Sequence, residues 1–333
     1  MKRIGSGIAA LGLLLSAACA PKPDLISAEK LSRPHVASII ETDPQVVLDP
    51  GRPAANMMPA AMVAPLPILA VGLLVAGAAQ GIENARAETR RNRAQVLEEQ
   101  LGSTGQVGAE LQREFRTALT AEIARGSRLP IQRVETNSAR QIWQPSSSGD
   151  PMLHFQFGSM LTQDARAVTL QVQVRQMGWK PESERKERES ALAVSTQYDL
   201  VAFSAPIEAA SEEDALGLWR ENNYARLRQA TRALIPEIMT LVRIAILEPE
   251  PLDLGNMPRV STKMSGFSLL SHIPNSQSGG SAMAVRRTVF QPSVSGSVVR
   301  RSSARDYMMM QTIPQNPGVN PTLIWLSLPT GSF

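Results

Sequence analysis

Three stretches in the middle of the chain alternate strictly between apolar and polar residues, and this limits the folds open to it. Leu153, Phe155 and Phe157 interleave with His154, Gln156 and Gly158. Val168, Leu170, Val172 and Val174 interleave with Thr169, Gln171, Gln173 and Arg175. Val194, Thr196, Tyr198, Leu200 and Ala202 continue the period of two. Successive side chains on a strand point to opposite faces, so each stretch offers one apolar and one polar face. An antiparallel sheet with a single covered face requires this pattern, and the polar residues are then expected to meet water. A further short strand is expected over 130–135.

Helical patterns flank these strands. Residues 82–101 mix Glu83, Glu88, Glu98 and Glu99 with Arg86, Arg90, Arg91 and Arg93. This reads as a solvated helix face with ion pairs along it, or as an Arg run that meets lipid phosphates. Gly102 to Gly108 is expected to break the helix. Over 109–124 Leu111, Phe115, Leu119 and Ile123 recur every four residues, an amphipathic stripe that faces a core. Ser211, Glu212, Glu213 and Asp214 make a capped, acidic helix start. From there Leu216, Trp219, Tyr224, Leu227, Leu234, Ile238, Leu241, Val242 and Ala245 can line one face, and Pro236 is expected to bend or split the helix. The fold class is α+β: an antiparallel meander packed on helices, with an extended N-terminal tether and an irregular basic C-terminal tail.

The flanks follow from proline. The chain has 24 Pro, concentrated in 21–67 and 249–329, which leaves the middle for regular structure. Residues 19–59 read as a Pro-rich tether with one short strand possible near 45–48. Residues 82–247 read as the α+β domain. Residues 248–333 read as a Pro/Ser/Gly-rich tail with short strands possible, the clearest at 322–328. From residue 255 onward the tail carries seven Lys and Arg against Asp306 alone. Such a tail is either flexible and solvated or able to touch anionic headgroups or glycan acids.

The N-terminus reads MKRIGSGIAALGLLLSAACA. Lys2 and Arg3 precede an apolar run too short to be a permanent membrane span. Leu15, Ser16, Ala17 and Ala18 then lead into Cys19. This segment resembles a bacterial lipoprotein signal peptide with a lipobox. The resemblance implies that residues 1–18 are removed and that Cys19 is the lipidated N-terminus. Cys19 is the only Cys of the chain, at the one position where lipidation needs it. The mature protein then has no disulfide, and its fold rests on its core. Ala20 follows the Cys where an Asp would favour inner-membrane retention, so the resemblance implies the outer membrane, with the domain facing the periplasm.

Residues 60–81 form a second apolar segment, uncharged and rich in Ala and Gly, with Pro65 and Pro67 inside. Gly77 and Gly81 stand four apart, a spacing that lets helix backbones approach closely. Three readings stay open: a helix packed on the membrane or on a partner subunit, a buried part of the soluble domain, or an inner-membrane span. The Arg residues after it would then lie in the cytoplasm, which conflicts with lipid attachment outside.

Chemistry-bearing motifs are scarce. The three His are His35, His154 and His272. None belongs to an HExxH pair, no second Cys is present, and neither GxSxG nor GxxxxGK[ST] occurs. His154 falls on the polar side of a strand, where a solvated imidazole is expected. No metal, no cofactor and no catalytic residue is assigned. Formal net charge is only +4, which gives no drive toward nucleic acid. The expectation is a non-catalytic lipoprotein that acts as an envelope scaffold or assembly subunit. It would be held to the membrane by its lipid and would bind a protein partner or a second copy of itself. A periplasmic binding module for a lipid, glycan or protein is the alternative, and an envelope hydrolase the third.

Overall fold

A computed structural model shows how these segments assemble. It describes residues 34–41, 45–49, 88–89, 92–138, 151–179, 192–249, 259–261, 267–274, 282–289, 295–311 and 322–330. Residues 1–18, read as a signal peptide, and Cys19, Gly77 and Gly81 lie outside the described residues. In chain order the described elements begin with β1 (His35–Glu41), β2 (Val46–Leu48), α1 (92–101) and α2 (Gly105–Ala124). There follow β3 (Ile131–Ser138), β4 (Met152–Leu161), β5 (Val168–Trp179), β6 (Leu192–Phe203) and α3 (Glu212–Val242). A π-helical turn, Arg243–Leu247, continues α3. The remaining strands are β7 (Arg259–Ser261), β8 (Phe267–Pro274), β9 (Ala282–Val289), β10 (Ser295–Arg301), β11 (Arg305–Gln311) and β12 (Thr322–Pro329).

The fold is broadly α+β. One large sheet runs β3-β1-β4-β5-β6-β12-β11-β10-β7, and β2 pairs with β4 beyond the end of β1. Strands β4, β5 and β6 are the expected antiparallel meander. The sheet is nevertheless mixed: β1 lies parallel to both β3 and β4, and β12 lies parallel to β6. Strands from both flanks therefore extend the meander. The sequence signal for β1 is His35-Val36-Ala37-Ser38-Ile39-Ile40, where apolar residues fall on both faces. All six are buried. Strand β12 (Thr322–Pro329) is similar, with Leu323 to Leu328 buried throughout. Central strands covered on both sides lose the alternation that marks half-buried ones.

Helices cover one face. Leu111, Phe115 and Leu119 of α2 and Trp219, Leu227, Leu234, Ile238 and Leu241 of α3 join Phe155, Phe157, Leu170, Val172 and Leu200 in one core. The Phe115 and Phe157 rings stack with centroids 4.8 Å apart. The indole N–H of Trp219 donates to the Ala165 carbonyl at 2.6 Å, which satisfies its polar end inside the core.

Local corrections have clear causes. Helix α2 begins at Gly105, so Gly105 to Gly108 belong to the helix and the break is confined to 102–104. Gly102 adopts φ +76, the left-handed conformation that ends α1. Thr104 stands at the N-cap of α2 without capping it, because its hydroxyl accepts the Val46 N–H of β2 at 2.9 Å. Ser211 does cap α3, accepting the Asp214 N–H at 3.1 Å. The bend in α3 falls at Glu221–Tyr224, where Asn222, Asn223 and Tyr224 take positive φ, while Pro236 sits inside a continuous helix. Asn tolerates that conformation better than most residues. The Tyr224 hydroxyl donates to the Leu101 carbonyl at 2.7 Å, so the break joins α3 to the end of α1.

Candidate functional site: the second face of the sheet

The face opposite the helices is the candidate site, and it differs from the expectation. Cross-strand register sets Ser38, His154, Arg175 and Gln197 in one row. Ile40, Gln156, Gln173, Asp199, Ile324 and Met310 form the next. Gln171 and Thr169 continue the band along β5. Ser38, His154, Gln156, Thr169, Gln171, Gln173 and Asp199 are all buried. Strand β8 of the two-stranded sheet β8–β9 lies against β4 and β5. Further across, Val201, Phe203, Val298, Met308, Met310, Ile324, Leu326 and Leu328 form a second apolar cluster.

Burial without charge repulsion is possible here because the band is built from amides and hydroxyls that satisfy one another. The Gln173 amide donates to the Asp199 carboxylate at 3.0 Å, and the Gln171 amide donates to the Thr169 hydroxyl at 3.1 Å. The Thr169 hydroxyl donates in turn to the Met160 carbonyl at 3.0 Å. Asn137 of β3 donates to the Ser38 hydroxyl at 2.7 Å.

Satisfaction is incomplete at Gln156, whose Oε1 has no hydrogen-bond partner, and at His154. His154 is 1% exposed, and neither ring nitrogen has a hydrogen-bond partner. Burial, with a smaller contribution from Arg175, pushes its pKa down to about 4. The solvated imidazole expected from the sequence is therefore a buried, neutral one. Neutrality leaves one nitrogen able to donate and one able to accept. His35 is also buried, with its Nε2 3.0 Å from the Gln176 amide nitrogen. His272 lies on β8.

Other acids act as ties between elements. Glu237 of α3 accepts from the Tyr307 hydroxyl at 2.8 Å and from the Ser327 hydroxyl at 3.2 Å. Burial first, then this hydrogen bond, raises the Tyr307 pKa above the ordinary phenol value. Glu122, buried on α2, accepts from Arg243 Nε at 2.5 Å and from Arg125 at 2.9 Å. Arg93 of the charged helix pairs with Glu212 at 2.8 Å, an ion pair to the start of α3.

Among the described residues no three of His, Cys, Asp and Glu come together in a group that could hold a metal ion. No described helix is long and apolar enough to cross a membrane. The site residues named from the sequence, Cys19, Gly77 and Gly81, fall outside this region. Sequence reasoning missed the amide band. The signal was available: the polar positions of β4 and β5 are mostly Gln, Thr and His, where a water-facing strand favours Lys and Glu.

Known proteins offer no guide. No family model matches the chain, and no curated protein or solved structure matches it.

Proposed function

We propose that the chain is a lipid-anchored envelope lipoprotein, non-catalytic, that serves as a scaffold or assembly subunit on the periplasmic side of the outer membrane. Cys19 carries the anchor, and residues 19–34 lead from it to the first strand. The observation that carries the reading is the use made of the acidic side chains. Asp199, Glu122 and Glu237 each hold groups from a neighbouring strand or helix, binding one element to the next. A carboxylate held by hydrogen bonds to a neighbouring element is fixed in place, which suits rigidity more than proton transfer. Chemical crosslinking in intact cells tests this. A discrete set of envelope proteins should be joined to the wild-type chain and lost when Cys19→Ser removes the anchor. Crosslinks to lipid or glycan alone would contradict a scaffold.

One observation favours a second reading, a binding module for a lipid, glycan or protein. His154 sits in a polar band with both nitrogens unpartnered, as a residue awaiting a hydroxyl or amide would. The residues Gly77 and Gly81 belong to the first reading, where their spacing would support packing on a like subunit.

A further inference from the structure

We propose that two copies of this chain associate through β3, by antiparallel pairing of the two β3 strands about a two-fold axis at Val134. The proposal deepens the scaffold reading by naming a partner, yet it holds whether or not Cys19 carries lipid. Strand β3 is one end of the large sheet, and it is paired only on its β1 side among the described residues. It is eight residues long, whereas β7 at the other end has three. A long edge presents unpaired N–H and C=O groups that invite another strand, while a very short edge does not.

Charge decides the occupant. Arg133 and Glu135 stand on the same side of β3, with Arg133 Nε donating to Glu135 Oε1 at 2.5 Å. Both remain partly exposed, at 40% and 34% of their side-chain surface. When two β3 strands run antiparallel about Val134, each Arg133 stands opposite the partner's Glu135. Four charges of alternating sign then form a closed square on one face. Opposite charges directly across a ladder are favourable, and like charges are not. Parallel pairing in register would instead set Arg133 against Arg133. On the other face Val134, half-buried against the helix-side core, meets the partner's Val134. Two-fold symmetry makes this contact self-complementary and closed.

The test uses the full chain in detergent micelles, with oligomeric state read by sedimentation. The wild type should dimerise. Arg133→Glu and Glu135→Arg should each weaken the dimer by about tenfold, because each sets like charges opposite one another. The double variant should restore it, which general damage to the fold would not. Separately, Val134→Cys should form a disulfide-linked dimer faster than Gln132→Cys, since only residue 134 meets its own copy. Any link through Cys19 appears equally in both. A chain that stays monomeric overturns the proposal. So does a dimer indifferent to the charge changes, or equal crosslinking of the two Cys variants. A strand from a different protein as the edge's natural occupant would give the first of these results.

Discussion

His154 shows how much one side chain can reveal about the sheet that holds it. Its ring is neutral in the folded protein down to about pH 4, against an ordinary value of 6.5. Between those values the unfolded chain binds a proton that the folded chain refuses. Stability contributed by the neutral ring is therefore complete above about pH 6.5 and falls as the pH drops toward 4. The shift corresponds to about 3 kcal/mol at the acid end of the window. Thermal melts across this range should show a steep acid loss in the wild type and a flatter one in His154→Leu. Identical slopes would mean that the ring is solvated after all. The residue's type and strand position were legible in the sequence. Its burial was not, because period-two alternation says which residues share a face and not what lies over that face.

At the scale of elements, the stripe over 109–124 and the alternation of β4 and β5 carried the most information. Both are half-buried elements whose periodicity marks the boundary between core and exterior. Phe115 sits where that stripe meets the sheet, fully buried and stacked on Phe157. Phe115→Ala should destabilise the protein by about 3–5 kcal/mol, the usual cost of emptying a large aromatic site. An unchanged melting temperature would mean that α2 is rotated away from the sheet. Strands β10, β11 and β12 were less legible. Residues 305–311 and 322–329 lie in a Pro- and Ser-rich context, and their partners are far away in the chain. Strand β12 takes its place beside β6 through long-range pairing that no local pattern encodes. Glu237 secures that placement by holding Tyr307 of β11 and Ser327 of β12. Spectrophotometric titration should find the Tyr307 phenol above its ordinary range, and Glu237→Gln should bring it down. A phenol unaffected by that change would place β11 away from α3.

At the scale of the whole molecule, the sheet is built from both flanks as well as the centre. The segment before residue 50 supplies β1 and β2, and the segment after 258 supplies β7, β10, β11 and β12 to the large sheet and β8 and β9 as a separate pair. Strand β1 begins at His35, so a lipid at Cys19 would join the sheet through residues 20–34. The candidate scaffold function needs that anchor more than any other feature. The resemblance to a lipobox rests on twenty residues whose chemistry is local, so it needs no fold to be drawn. Partner identity was not, because surfaces that bind are assembled from distant strands.

The most direct measurement is acylation of Cys19. Cells expressing the wild type or Cys19→Ser would be fed a labelled fatty acid and fractionated. Label is expected on the wild-type protein in the membrane fraction, with both label and stable membrane attachment lost in Cys19→Ser. Label and attachment that persist unchanged in Cys19→Ser would contradict it.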